Sequence, residues 1–388
     1  MTSGVAWKHI LNFAIPMAVG LLFQQLYNTV DTIVVGRFVG AQALAAVGST
    51  TSIVNMLVGM CAGLATGASV AISQCYGSHD GKGLSDAVHT SMAVTAILCV
   101  AVTAVGVIIV RPMLDLMDTP ADVYPEAQTY LTIYFAGVSG LLIYNMGSGI
   151  LRAVGDSRRP LYFLFFSAAV NVVFDLLFVI VFKMGVAGVA YATIISQFLS
   201  CVLVMLSLTR THDSYGVRLK KIRLNGPMAR RILSVGLPSG LQQMITSFSN
   251  VFVQSYINFF GSACMAGWSC YNKLDVFALI PVQSIALAST TFVGQNFGAN
   301  HIDRARSGVR SALFMSIGTT VVISAVMIAM SRQLVEMFST EMEVIEYGEY
   351  FMMRILPFYF LICFNQVLSG AMRGIGDAKA PTIIMLLS

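Results

Sequence analysis

Three carboxylates stand inside otherwise apolar stretches: Asp31, Asp175 and Asp275. An ionised carboxylate in hydrocarbon is costly, and such a residue is a functional site by default. Asp31 lies in the run LYNTVDTIVVG. Gln24, Tyr27 and Asp31 are spaced i, i+3, i+7, which places them on one helix face. Asn171 precedes Asp175 by four residues and shares its face. Thr193 stands near the start of the next apolar stretch. Two carboxylates, an amide oxygen and a hydroxyl are all hard oxygen donors, suited to a small cation such as Na⁺. Equally, two acids close together in a low dielectric can share a proton, and the spacing does not choose between these. For Asp275 the sequence favours a structural ion pair, with Arg354 or with Lys273, over a coupling or substrate role.

The elements that carry these residues are membrane spans. Of 388 residues, 56% are hydrophobic and 11% charged, against about 25% charged in a soluble domain. Apolar runs of roughly 20 residues recur, as a polytopic membrane protein requires. Helices are predicted near 10–35, 47–75, 88–110, 127–151, 160–182, 187–209, 230–259, 266–296, 308–331 and 349–371, with another starting at Pro381 and cut off at Ser388. The net charge of +5 resides in short loops between these runs and does not indicate nucleic acid. The seven cysteines lie in or beside apolar segments without metal-ligand spacing, so they read as packing residues and not as a disulfide framework. No cleavable signal peptide is apparent.

Basic residues set an expected orientation. With the N-terminus cytoplasmic, Arg152, Arg158, Arg159, the run Arg210 to Arg231, Arg304, Arg306 and Arg310 are cytoplasmic. Outside remain Arg37, Arg111, Lys183 and Arg332, with acids that include Asp115, Asp118, Asp122, Glu341 and Glu343. The chain also repeats itself. SGILRAVGDSRRP (Ser148–Pro160) matches SGAMRGIGDAKAP (Ser369–Pro381) at an offset of 221. Gln74 and Gly77 meet Gln295 and Gly298 at that offset, Gly40 meets Gly261, and Pro16 meets Pro238 with a one-residue slip. An even number of spans separates the matches, so the halves are parallel: an all-α membrane protein of two pseudo-symmetric six-helix lobes related by an axis along the membrane normal. The expected division is a first lobe over 1–209 with helices 1–6, a basic linker over 210–229, and a second lobe over 230–388. Matching the first half in full requires roughly 40 further residues, so helix 11 is read as truncated and helix 12 as absent.

Several other signals resolve to nothing chemical. GSHDGKG (Gly77–Gly83) is too short between Gly77 and Gly81 for a phosphate loop, and no Ser or Thr follows Lys82. GVSG (Gly137–Gly140) would need a base near Ser139, yet His9, His79, His89, His212 and His301 all belong to the cytoplasmic side. Gly59, Gly63 and Gly67 form a small-residue face that reads as close helix packing. Pro16 and Pro281 mark bends, either packing geometry or hinges. The 22 Met residues fill core or give an adaptable cavity wall.

IPMAVGLLFQQLYNTVDTIVVGRFVG and its continuation STTSIVNMLVGMCAGLATGASVAISQCYG resemble the start of the multidrug and toxic compound extrusion (MATE) family, bacterial type. LRAVGDSRRP and MRGIGDAKAP resemble that family's loops after helices 4 and 10. The resemblance spans the whole chain. It implies twelve helices in two lobes, an outward-facing V-shaped cleft, and export driven by entry of Na⁺ or H⁺. It implies a first-lobe cation site at Asp31, Asn171, Asp175 and Thr193, substrate-cavity positions at Gln24, Tyr27 and Tyr130, and a helix 1 bend at Pro16. One branch of the family carries a Glu in helix 7, where this chain has Thr246, so coupling through a second-lobe acid is not expected from that position.

The sequence therefore reads as a cation-coupled antiporter, not an enzyme. It is expected to export amphipathic organic cations or drugs by alternating access, with no cofactor, as a multi-pass monomer in the cell (inner) membrane. A flippase for a lipid-linked precursor is the alternative. It requires a basic central cavity, which the loop placement of the basic residues disfavours.

Overall fold

The computed structural model describes residues 1–117 and 119–387. Asp118 of the expected outer acids and Ser388 of the last expected helix lie outside the described residues. Among the described residues the chain is all helical. The elements are α1 (Ala6–Val34), α2 (Ala41–Gly77), α3 (Gly81–Leu116), α4 (Tyr124–Ala153), α5 (Arg158–Leu176), α6 (Gly185–Arg210), α7 (Gly226–Phe259), α8 (Ser262–Gly298), α9 (Ile302–Ala329), α10 (Ser331–Glu336), α11 (Met342–Ile355), α12 (Tyr359–Ile375) and α13 (Lys379–Leu387). Nine helical segments among the described residues are long and apolar enough to cross a membrane. α7 has the length, but Gln242, Gln243, Asn250, Gln254 and Asn258 make it more polar.

The helix expected at 349–371 is interrupted. A 3₁₀ turn at Leu356–Phe358 separates α11 from α12. Pro357 has no N–H to continue the ladder and its ring crowds the preceding turn; the apolar pattern runs through it and hides the break.

The repeat has a backbone cause. Gly155 and Gly376 each take φ +99°, a left-handed conformation that ends a helix at low cost in glycine. The next residue, Asp156 or Asp377, then caps the following helix. Asp156 Oδ1 accepts from the Arg158 and Arg159 amides at 3.0 and 3.1 Å. Asp377 Oδ1 accepts from Lys379 and Ala380 at 3.0 and 3.2 Å. The Gly-Asp pair is thus a helix-stop and helix-start device used once in each half.

α2 packs along α7, joining the halves, while α4 packs on α6 and α8 on α12. The expected small-residue face is that junction. A Cβ at Gly63 would strike the Gly240 backbone, and one at Gly67 would strike Gly236 and the Ile232 carbonyl. At the end carrying the basic segment the halves close symmetrically. Gln74 Nε2 donates to the Gly374 carbonyl, and Gln295 Nε2 donates to the Ala153 carbonyl, both at 2.7 Å. Both glutamines are buried, and Gln74 Oε1 accepts from Arg231. Gly77 lies against the Gln295 carbonyl and Gly298 against the Gln74 carbonyl. The basic segment docks here too: Arg223 pairs with Asp86 at 2.9 Å, and the Arg218 amide donates to His89 Nε2 at 3.1 Å. At the other end the halves part around an opening of about 790 Å³ lined by Asn55, Met56, Met244, Phe248 and Gln254.

All seven cysteines are free, and six are buried.

Candidate functional site

The first half encloses a cavity of about 130 Å³ among α1, α4, α5 and α6. Gln24 and Tyr27 face it from α1, with Pro16 about two and three turns nearer the basic end; Asn171 faces it from α5 and Thr193 from α6. The i, i+3 spacing read from the sequence thus delivers two side chains to one wall. Met17, Leu21, Val58, Leu141, Leu161 and Leu164 supply its apolar surface.

Asp31 and Asp175 stand beside this cavity rather than in its wall. Their carboxyl groups are near enough to feel one another's charge, and Tyr27 and Tyr130 lie within the field of Asp31. Asp175 is fully buried and neither of its oxygens has a hydrogen-bond partner in the protein. The same holds for Oδ1 of Asp31 and for both polar atoms of the buried Asn171. Thr193 Oγ1 spends its proton on the Val189 carbonyl at 3.0 Å, leaving its lone pairs free. Buried polar groups are nearly always paired, and each unpaired one calls for an explanation. Here four such oxygens belong to two acids and an amide on the neighbouring helices α1 and α5, an arrangement that a cation or a shared proton could complete.

Backbone geometry singles out the same two acids. α1 passes into a π-helical turn at Val35–Val39, four residues after Asp31, and α5 into one at Leu177–Val181, two residues after Asp175. These turns pack on one another. Wide turns of this kind inside helices occur frequently at functional sites. Tyr130 does not line the cavity; it stacks on Tyr134 with ring centroids 6.2 Å apart and sits next to the acids.

Sequence reasoning passed over part of the wall. Asn145, Gln197, Ser167, Ser196 and Ser200 all face the cavity. Gln197 follows Thr193 by one turn, so its face was legible. Arg152, read as a loop residue, falls in the last turn of α4 and also faces the cavity.

The ion pair expected at Asp275 is not formed. Among the described residues, Lys273 lies over the Phe338 ring and Arg354 over the Tyr350 ring. Asp275 instead accepts from Tyr271 Oη at 3.4 Å, and Tyr271 shares a 2.6 Å hydrogen bond with Tyr359. Lys273 is exposed on the opposite face of α8, and stacking leaves both cations nearer water.

Two helical halves joined along α2 and α7, with membrane-length helices and a polar pocket inside one half, have the architecture of a polytopic membrane transporter. The MatE family profile matches residues 16–177 and 238–388, and the chain belongs to that family. The chain is 29% identical to the probable multidrug resistance protein YpnP of Bacillus subtilis (strain 168), over all of this chain and 86% of that protein. It is 28% identical to the probable multidrug resistance protein YoeA of the same organism, over 98% of this chain and 84% of that one. The crystal structure of a MATE protein in the straight conformation superposes with a TM-score of 0.93 at 26% identity, covering 99% of this chain and 86% of the other.

Proposed function

We propose that the protein is a cation-coupled antiporter that exports amphipathic organic cations by alternating access. Its coupling site is Asp31, Asn171, Asp175 and Thr193. The observation that carries this reading is the pair of interacting carboxyls with unpartnered buried oxygens, directly beside a cavity walled by Gln24 and Tyr27. A monovalent cation, Na⁺ or H⁺, neutralises the acid pair. A cationic substrate held near Gln24 and Tyr27 is attracted by the same acids. Ion and substrate therefore oppose one another, and linkage makes that opposition equal in both directions. The driving force is adequate: one charge crossing 100 mV supplies about 2.3 kcal/mol, enough for a gradient beyond tenfold.

Pro16 is the hinge of α1. It interrupts the helix ladder between the basic end and the site. Relatives solved in straight and in bent conformations accord with a moving element. In this reading residues 1–209 and 230–388 are the moving lobes and 210–229 their linker. The N-terminus and the basic end face the cytoplasm of a cell (inner) membrane, and the monomer is the working unit. The names of YpnP and YoeA support drug export. The flippase alternative calls for a basic cavity, and Arg152 is the single basic side chain in the wall of this one among the described residues.

The test is dye efflux from proteoliposomes under separately imposed Na⁺ and pH gradients. Efflux that follows one gradient, and is lost in Asp175→Asn, is expected. Efflux indifferent to both gradients contradicts the proposal.

A further inference from the structure

The Arg152 side chain lines the first-half cavity, and its guanidinium forms no hydrogen bond or ion pair with any described residue. A guanidinium presents five donors and stays charged. An unpaired charge in a protein interior is strongly unfavourable unless something else completes it. None of the lining residues is acidic. Asp156, the nearest acid in sequence, is engaged with Arg159 at 3.1 Å and with the first amides of α5.

The repeat sharpens the point. At the offset of 221, Arg152 corresponds to Arg373. Arg373 Nη1 donates to Gln242 Oε1 at 3.4 Å. The first-half residues corresponding to Gln242 are Leu21 at that offset, or Gly20 with the one-residue slip of the prolines. Both line the cavity, and neither side chain can accept a hydrogen bond. The two halves thus keep the same arginine, but only the second supplies its acceptor.

We propose that Arg152 is an anion-binding residue of this cavity, and that the protein takes amphiphiles bearing a carboxylate or phosphate group. This rests on reading the cavity as the transport site. The oxyanion pairs with the guanidinium, which suits bidentate recognition. Ser157, Ser200 and Asn145 border the same wall as polar neighbours, and the apolar body lies along Met17, Leu21 and Leu164. Arg152 and the acid pair flank the cavity toward opposite ends of α4 and α5. A zwitterion is therefore aligned, its amine toward Asp31 and Asp175 and its anion toward Arg152.

The experiment uses the purified full chain in non-ionic micelles and two probes: a rhodamine with a free carboxylate, and its methyl ester. Fluorescence polarisation gives both affinities without any ion gradient. The wild type is expected to bind the acid at least tenfold more tightly than the ester, with the gap shrinking as salt rises. Arg152→Gln closes the gap. Arg152→Lys leaves part of it, because an ammonium pairs as a point charge. Leu21→Gln supplies an internal acceptor and narrows the gap with the arginine in place, which keeps the test decisive if Arg152→Gln does not fold. Adding phosphatidylglycerol to the micelles separates the sources: displacement of the acid marks a lipid headgroup as a ligand of the same guanidinium, and no displacement marks a soluble one. Equal affinities for acid and ester in the wild type overturn the proposal, as does a gap that survives Arg152→Gln. A gap erased by Arg152→Gln, together with efflux indifferent to Na⁺ and pH, upholds Arg152 and rejects the coupling scheme.

Discussion

Asp175 is the more confined of the two acids proposed to couple transport, fully buried and without a partner on either oxygen. Asp175→Asn removes one of two facing acids while nearly keeping its volume. The variant is therefore expected to melt no lower than the wild type in a thermal-shift assay, yet to lose ion-driven efflux; a large drop in melting temperature would mean the carboxylate is a structural group. Tyr271 behaves oppositely. Tyr271→Phe strips the donor from Asp275 and the partner from Tyr359. Leaving such groups unsatisfied costs about 1–3 kcal/mol, so melting falls while the ion dependence of efflux stays. Gln24, Tyr27 and Asn171 of the cavity wall could be read from their types and helical spacing, because periodicity fixes which side chains share a face. Tyr271 sits one turn before Asp275, so its face was legible too; Tyr359 could not be matched in advance, since it meets Tyr271 across 88 residues through packing of α8 on α12. Arg152 was hidden for a different reason: its helix runs to Ala153, whereas composition suggests a loop.

At the scale of elements, α2 decides whether the halves join. Gly67→Val would drive a branched side chain into Gly236 and the Ile232 carbonyl, both backbone. Backbone cannot give way as a side-chain tip does, so this variant is expected to lose the monodisperse folded peak in size-exclusion chromatography. Gly48 in the same helix has open space around its missing Cβ. Gly48→Ala should keep that peak, and it gains helix propensity of about 1 kcal/mol. If both variants behave alike, the α2–α7 crossing is not set by steric contact. Most helices were legible from hydropathy alone, as membrane spans must satisfy their backbone internally. The break before α12 was not, because the apolar face of amphipathic α11 runs on into α12 and only the short turn at Leu356–Phe358 separates them. α7 is the converse: its polar face is explained by the cleft it lines with α2.

At the scale of the molecule, the 221-residue repeat foretold two similar halves, and the pairing of Gln74 with Gln295 is its clearest return. What the repeat could not supply was where these side chains reach. Each crosses to the last turn of a helix in the opposite half, so the contact closes the basic end while the far end stays open. Gln295→Ala deletes one of the two ties, at a cost of about 1 kcal/mol. Cys75, buried beside Gln74, reports the result: with the other cysteines replaced, its maleimide labelling is expected to rise in Gln295→Ala, and an unchanged rate would show that the tie does not hold that end shut. The central claim concerns the other end of the chain of events, the competition of ion and substrate at the acid pair. It is tested most directly by measuring the affinity of a cationic dye for the purified protein across Na⁺ and pH series, in wild type and Asp31→Asn. The account predicts wild-type affinity that weakens as the coupling ion rises, and a flat response in Asp31→Asn. An Asp31→Asn protein whose dye affinity still tracks the ion as the wild type does would contradict it.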